Sequence, residues 1–135
     1  MTKNTNNHSI LIVDDDPLTQ KTLEHRFNKE GFKIFIASDG EEGLAKAIKE
    51  HPDIILLDLL MPKIDGIKML EKLREDPWGK TAGVLLLTNL NDTEKVAEAV
   101  AKGVYEYLVK SDWKIDDIVA KVHEKLALQD SQKEK

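Results

Sequence analysis

Ile10-Leu11-Ile12-Val13-Asp14-Asp15-Asp16-Pro17 is the stretch that decides the fold. Its first four residues form an unbroken β-branched and aliphatic run, the pattern of a strand covered on both faces in a parallel sheet. The run stops abruptly at three carboxylates and a proline. Asp16-Pro17 has the form of a helix N-cap followed by the first helical residue, where the N–H that proline lacks would be unpaired anyway. A buried strand therefore passes almost directly into a helix.

The same alternation continues outward along the chain. The first helix is predicted to reach about Glu30, with Leu23 and Phe27 on one face and Gly31 as its stop. Phe32 to Ala37 reads as a second strand. Ser38, with Glu41 three residues on, resembles a capping box and opens a helix to about Glu50, with Leu44 and Ile48 on its buried face. Asp53 to Leu57 is a third apolar strand, followed by a loop with Met61-Pro62 and a helix over about Gly66 to Glu75. Asp76-Pro77-Trp78-Gly79 is a turn, and Gly83 to Leu87 a fourth strand. Asn91 with Glu94 is a further cap, for a helix ending near Lys102 and Gly103. Tyr105 to Val109 is the fifth strand. The last helix, about Trp113 to Leu126, carries Ile115, Ile118, Val119, Val122 and Leu126 at helical spacing. Five strands alternating with five helices predict an α/β fold with a parallel sheet covered on both faces. Residues 1–8 and 128–135 are polar and are expected to be disordered tails around one domain over 9–127.

Composition narrows the function. A chain of 135 residues suits one domain, and its 41% hydrophobic content suffices for one core. A formal net charge of −5 argues against a nucleic-acid or membrane surface. The absence of cysteine excludes disulfides, thiolate metal sites and cysteine nucleophiles. His8, His25, His51 and His123 form no ligand-spaced pair and are expected at the surface. No apolar segment approaches the ~18 residues that span a bilayer, and the polar start lacks the apolar stretch of a signal peptide, so a cytoplasmic protein is expected.

In such a sheet a site is expected at the carboxyl ends of the strands. Strand one ends at Asp14-Asp15-Asp16, strand three at Asp58, strand four at Thr88 and strand five at Lys110. If strands one and three are neighbours, their carboxylates crowd one pocket and repel unless a cation joins them. Oxygen ligands without Cys or His favour Mg²⁺, or Mn²⁺, over zinc. A hydroxyl and an ammonium at the same rim complete a cradle for a phosphoryl group. Asp16 is expected to serve only as a cap. A nucleotide-binding enzyme would need a glycine-rich loop after strand one, and a phosphatase of the haloacid-dehalogenase type would need Asp-x-Asp. Here the residues are Asp-Asp-Asp-Pro and Asp58-Leu59-Leu60.

From about Ser9 to Leu126 the chain resembles the receiver domain of two-component response regulators. The resemblance rests on Ile10–Pro17 (ILIVDDDP), Asp53–Gly66 (DIILLDLLMPKIDG), Val84–Thr88 (VLLLT) and Gly103–Lys110 (GVYEYLVK). It implies a flavodoxin-like fold of strand order 2-1-3-4-5 with helices on two faces. It implies Asp58 as the phosphorylated aspartate, accepting from a histidine kinase or histidine phosphotransfer protein. Asp15 would bind Mg²⁺ directly, Asp14 through water, and the Leu60 carbonyl would be a further ligand. Lys110 would pair with Asp58 and then with the phosphoryl oxygens. Thr88 would hydrogen-bond the phosphoryl group, and Tyr107 would turn inward as Thr88 moves. The responsive surface would be the fourth helix, fifth strand and fifth helix, where a downstream target protein docks. Such a chain is no enzyme beyond its own phosphorylation and dephosphorylation. With little beyond the last helix, it is expected to be a stand-alone receiver acting by protein–protein contact, with a module of a larger regulator or hybrid kinase as the alternative.

Some positions depart from the commonest family pattern. Ser111 follows Lys110 where a proline is usual, and Asn89 follows Thr88 where a small residue such as Ala is usual. Leu60 and Leu90, two residues after Asp58 and Thr88, flank the approach of the hydrolytic water. Two leucines there exclude water and position none, so slow loss of phosphate is expected.

Overall fold

The apolar runs become the strands of one parallel sheet. The computed structural model describes residues 8–59, 65–88, 93–104, 106–110 and 114–133. Its strands are β1 (Ser9–Val13), β2 (Lys33–Ala37), β3 (Ile54–Leu57), β4 (Val84–Thr88) and β5 (Glu106–Val109). Its helices are α1 (Pro17–Lys29), α2 (Gly40–Glu50), α3 (Gly66–Glu75), α4 (Thr93–Ala101) and α5 (Ile115–Lys133), with a 3₁₀ turn at Gly79–Thr81. The strand order is β2-β1-β3-β4-β5, every pair parallel, so the expected fold class and order are present.

Side-chain alternation along each strand divides the core in two. Leu11, Val13, Ile55, Leu57, Val84 and Leu86 pack on the face covered by α2, α3 and α4. Ile10, Ile12, Ile54, Leu56, Leu85, Leu87 and Leu108 pack on the other, against Leu23 and Phe27 of α1 and Ile118, Val119, Val122 and Leu126 of α5. A strand buried on both sides needs an apolar residue at every position, which is why these runs are unbroken.

Local punctuation follows from side-chain chemistry. Asp16 caps α1, accepting from the Leu18 N–H at 3.2 Å, with Pro17 in the first turn. Gly31 and Gly103, at φ 89° and 88°, follow the ends of α1 and α4 in a conformation that favours glycine. The cap of α2 lies one residue later than expected. Asp39 Oδ1 accepts from the Glu42 N–H at 2.8 Å, and Glu42 Oε1 accepts from the Ser38 N–H at 2.8 Å. The buried face of α2 also differs from expectation: Ile48 is 38% exposed and Leu44 half-buried, while Gly40, Gly43 and Ala47 are buried. Small residues let this helix lie close on the sheet. A Cβ on Gly43 would stand 2.9 Å from Val13 Cγ1 and 3.1 Å from Met69 Sδ.

The C-terminal segment corrects the expectation of a disordered tail from residue 128, because α5 runs on to Lys133. Gln129 donates from Nε2 to the Asp53 carbonyl at 3.0 Å, and Asp130 meets His8 Nε2 at 3.0 Å. His8, placed in the N-terminal tail by sequence, is thus tied to α5. The expected loop residues Met61 and Pro62, the cap at Asn91, and Tyr105 and Trp113 lie outside the described residues.

Candidate functional site

Parallel register brings the acidic residues together. Val13 pairs with Leu57, and the Asp58 N–H donates to the Val13 carbonyl at 3.0 Å, so Asp14 and Asp58 leave adjacent strands side by side. Thr88 pairs with Val109 at the far end of β4 and β5, which delivers Lys110 to the same rim. Asp14, Asp58 and Lys110 share the alternation phase of Ile12, Leu56 and Leu108, and their side chains meet.

One oxygen each of Asp14, Asp15 and Asp58 lies within 4.8 Å of the others. Asp14 and Asp58 are buried and Asp15 is exposed. Lys110 Nζ stands 2.5 Å from Asp14 Oδ2 and 3.2 Å from Asp58 Oδ2. The Asp16 N–H donates to Asp14 Oδ1 at 2.9 Å. Burial pushes the Asp14 carboxyl above its ordinary 3.8, although Lys110 and the Asp16 N–H pull it down; Asp58 adds to the rise. Burial depresses the Lys110 ammonium, but the hydrogen bond to Asp14 and the charges of Asp58 and Asp14 outweigh it, so Lys110 stands above its ordinary 10.5. Three carboxylates around one ammonium leave excess negative charge in a low-dielectric pocket, the condition that a bound cation relieves.

The donor set fits Mg²⁺. All three side chains offer hard oxygens, and opposite ligands of Mg²⁺ stand about 4.2 Å apart at its usual bond length, close to the spread seen here. Among the described residues this is the group able to hold a metal, and no histidine belongs to one.

Thr88 is fully buried at the end of β4. Tyr107 is 46% exposed on β5. Asp16 is occupied as a cap, its Oδ2 accepting from Thr19 Oγ1 at 2.7 Å, as expected. Leu60, Asn89, Leu90 and Ser111, singled out from the sequence, lie outside the described residues. Three further residues shape the site. Asp65 caps α3, accepting from the Lys68 N–H at 2.9 Å, and the Gly66 N–H donates to the Leu59 carbonyl at 3.2 Å. A Cβ on Gly66 would stand 2.5 Å from the Asp58 carbonyl oxygen, so α3 begins directly against the backbone of Asp58. Gln20 of α1, which no sequence pattern marks, donates from Nε2 to the Asp14 carbonyl. Beside the site, Leu18, Thr19, Leu87, Lys110, Ile115 and Ile118 line a mostly apolar slot between α1 and α5.

Comparison with known proteins decides the family. The model of the response regulator receiver domain matches residues 10–123. The chain belongs to the response regulator receiver family. Among curated relatives, this receiver is 34% identical over 113 residues to the DNA-binding dual master transcriptional regulator RpaA of Synechocystis sp., covering 84% of this chain and 46% of the relative. The chain thus spans less than half the length of that relative. Among solved structures, it matches a CheY-like response regulator receiver domain protein from Methanospirillum hungatei at TM-score 0.87 and 28% identity, covering 94% of this chain and 99% of that one. It also matches a chain of the CheX–CheY–BeF₃–Mg²⁺ complex from Borrelia burgdorferi at TM-score 0.78 and 34% identity, covering 87% of each. The receiver reading is therefore that of a signalling module of two-component systems.

Proposed function

We propose that this receiver is a Mg²⁺-dependent phosphoacceptor switch and that Asp58 is its acceptor. The observation that carries the reading is the meeting of Asp14, Asp15 and Asp58 oxygens within 4.8 Å, with Lys110 against two of them. An Asp58 oxygen attacks the phosphorus of a phosphohistidine on a histidine kinase or histidine phosphotransfer protein. The P–N bond breaks as the aspartyl P–O bond forms, and the imidazole leaves with the electron pair. Asp15 would hold the metal directly and Asp14 through water, with the Leu60 carbonyl, which lies outside the described residues, as the further ligand expected from the sequence. Bound Mg²⁺, or Mn²⁺ in its place, supplies positive charge to the phosphoryl oxygens. Lys110 moves from the carboxylates to a phosphoryl oxygen, and the Thr88 hydroxyl donates to another.

Thr88 is drawn toward the phosphoryl group, and Tyr107 turns inward from its exposed position. A few kcal/mol of differential contact shifts such a two-state surface. The surface that changes is α4–β5–α5, where a downstream target protein docks. The protein acts in the cytoplasm by protein–protein contact rather than by binding nucleic acid or membrane, and it catalyses nothing beyond its own phosphorylation and dephosphorylation. The CheX–CheY–BeF₃–Mg²⁺ complex of the Borrelia relative supports both the metal and the phosphoryl site.

Intact-mass spectrometry after incubation with acetyl phosphate tests the chemistry. One phosphoryl group is expected with Mg²⁺, none with a chelator and none in Asp58→Asn. An unchanged mass, or a gain that survives Asp58→Asn, overturns the reading. A second reading, a receiver module of a larger regulator or hybrid kinase, is favoured by the length of relatives such as RpaA. Immunoblotting in the native host separates the two. A band at the mass of 135 residues supports the stand-alone receiver, and a longer product supports the module.

A further inference from the structure

Gln20 sits in the second half of the first turn of α1 and spends its side-chain amide on two loops. Nε2 donates to the Asp14 carbonyl at 2.5 Å and to Ser38 Oγ at 3.0 Å. Ser38 is held in turn, since its N–H donates to Glu42 Oε1 at 2.8 Å within the cap of α2. A chain of bonds therefore runs from the first turn of α2, through the β2–α2 turn, to the peptide that joins Asp14 to Asp15. The plane of that peptide sets the direction in which Asp15 leaves the backbone. The Asp14 carboxylate has supports of its own in Lys110 and the Asp16 N–H. The Asp15 carboxylate is exposed, and among the described residues no hydrogen bond reaches it. Among the described residues, its aim is set by the backbone that carries it and by its own side-chain torsions.

We infer that Gln20 is a positioning residue for the divalent-metal site, fixing the Asp14–Asp15 peptide, with Ser38 as anchor, so that Asp15 is already aimed at the ion that Asp14 and Asp58 share; the inference rests on the Mg²⁺-dependent reading above. Without the clamp the β1–α1 loop would be ordered only when the ion binds, and that ordering is subtracted from affinity. Partners that orient metal ligands from behind are commonly worth about tenfold or more in metal affinity.

Mg²⁺ is titrated calorimetrically into the full chain for wild type, Gln20→Met, Ser38→Ala and the double variant. The rate of phosphorylation by acetyl phosphate is then followed across Mg²⁺ concentration. Gln20→Met, which keeps the length of the side chain but has no donor, is expected to raise the Mg²⁺ Kd about tenfold. Its rate at saturating Mg²⁺ should stay within about twofold of wild type, because the clamp acts on the ion's binding and not on the transfer. Ser38→Ala should give a smaller rise, and the double variant no more than Gln20→Met alone, because both changes cut one connection. An unchanged Kd in Gln20→Met overturns the inference. So does a saturating rate that falls with affinity, or additive effects in the double variant, since a merely structural role predicts both. If Gln20→Met does not fold, Ser38→Ala decides: a raised Kd with an unchanged saturating rate supports the clamp, and an unchanged Kd overturns it. A wild type that binds no Mg²⁺ brings down the metal-dependent reading and this inference together. A wild type that binds Mg²⁺ no better than Gln20→Met brings down this inference alone.

Discussion

Lys110 is shared by two carboxylates that the proposed chemistry uses differently. Its ammonium is closer to Asp14, at 2.5 Å, than to Asp58, at 3.2 Å, so it stands as an internal cation on the metal side of the pocket. Lys110→Met keeps the apolar stem and removes this competing charge. Mg²⁺ is expected to bind about tenfold tighter in a site freed of a neighbouring cation, while phosphorylation at saturating Mg²⁺ falls about a hundredfold for want of a donor to the phosphoryl oxygens. Calorimetry and the acetyl phosphate rate check the two directions separately, and a variant that loses metal affinity would contradict the assignment. Leu60 and Leu90 carry a different expectation. If their side chains exclude water, the phosphorylated protein loses phosphate slowly. Leu60→Asn and Leu90→Glu, which offer a water a polar partner, should then lose it faster, as followed by the decay of the phosphorylated mass. Decay no faster than wild type counts against the idea.

At the scale of elements, the start of α3 is pressed against the backbone of Asp58. A Cβ on Gly66 would meet the Asp58 carbonyl at 2.5 Å, a backbone atom that cannot swing aside. Gly66→Ala is expected to destabilise the domain by about 1–3 kcal/mol and to weaken Mg²⁺ binding, both measurable by urea denaturation with and without the ion. The strands and the start of α3 near Gly66 were legible, the strands because unbroken apolar runs mark a sheet covered on both sides, whereas Asp65 as the cap and Gly66 as a close approach emerge only in the fold. Other features depend on partners distant in sequence. The buried face of α2 is made of Gly40, Gly43 and Ala47, which carry little hydrophobic signal, so Leu44 and Ile48 drew the expectation instead. Arg74 donates to the carbonyls of Gly79, Ala82, Lys102 and Gly103, tying the end of α3 to the α4–β5 turn, yet in sequence it is an ordinary charged residue of a helix. The last turns of α5 are polar and looked like a tail, and only the fold brings Gln129 to Asp53 and Asp130 to His8. Truncation after Ala127 is expected to cost about 1–2 kcal/mol, seen as a lower urea midpoint; an unchanged midpoint would show that these bonds add nothing.

Across the whole molecule, the site is a place where stability and function oppose each other. Two of its three carboxylates are buried, and Lys110 balances only part of their charge. Removing a charge from such a cluster is expected to stabilise the metal-free protein, so Asp58→Asn should raise its unfolding free energy by about 1–2 kcal/mol. Asp14→Asn should do likewise, with a pH signature. The Asp14 pKa is raised in the fold, foremost by burial, so its cost is absent below the ordinary value of 3.8 and develops as pH rises through the raised one. The advantage of Asp14→Asn is therefore larger at neutral pH than near 3.8. Mg²⁺ acts in the opposite order on the two proteins. It binds the folded wild type and not the unfolded chain, which adds about 2.7 kcal/mol at a hundredfold excess over Kd, whereas either Asn variant has lost part of the attraction. Thermal unfolding with Mg²⁺ and with a chelator should therefore show a variant more stable than wild type without the ion and a smaller gain when it is added. A variant that is less stable without the ion, or that gains as much from Mg²⁺ as wild type, would mean that the carboxylates are not held together against their own repulsion for the sake of a cation.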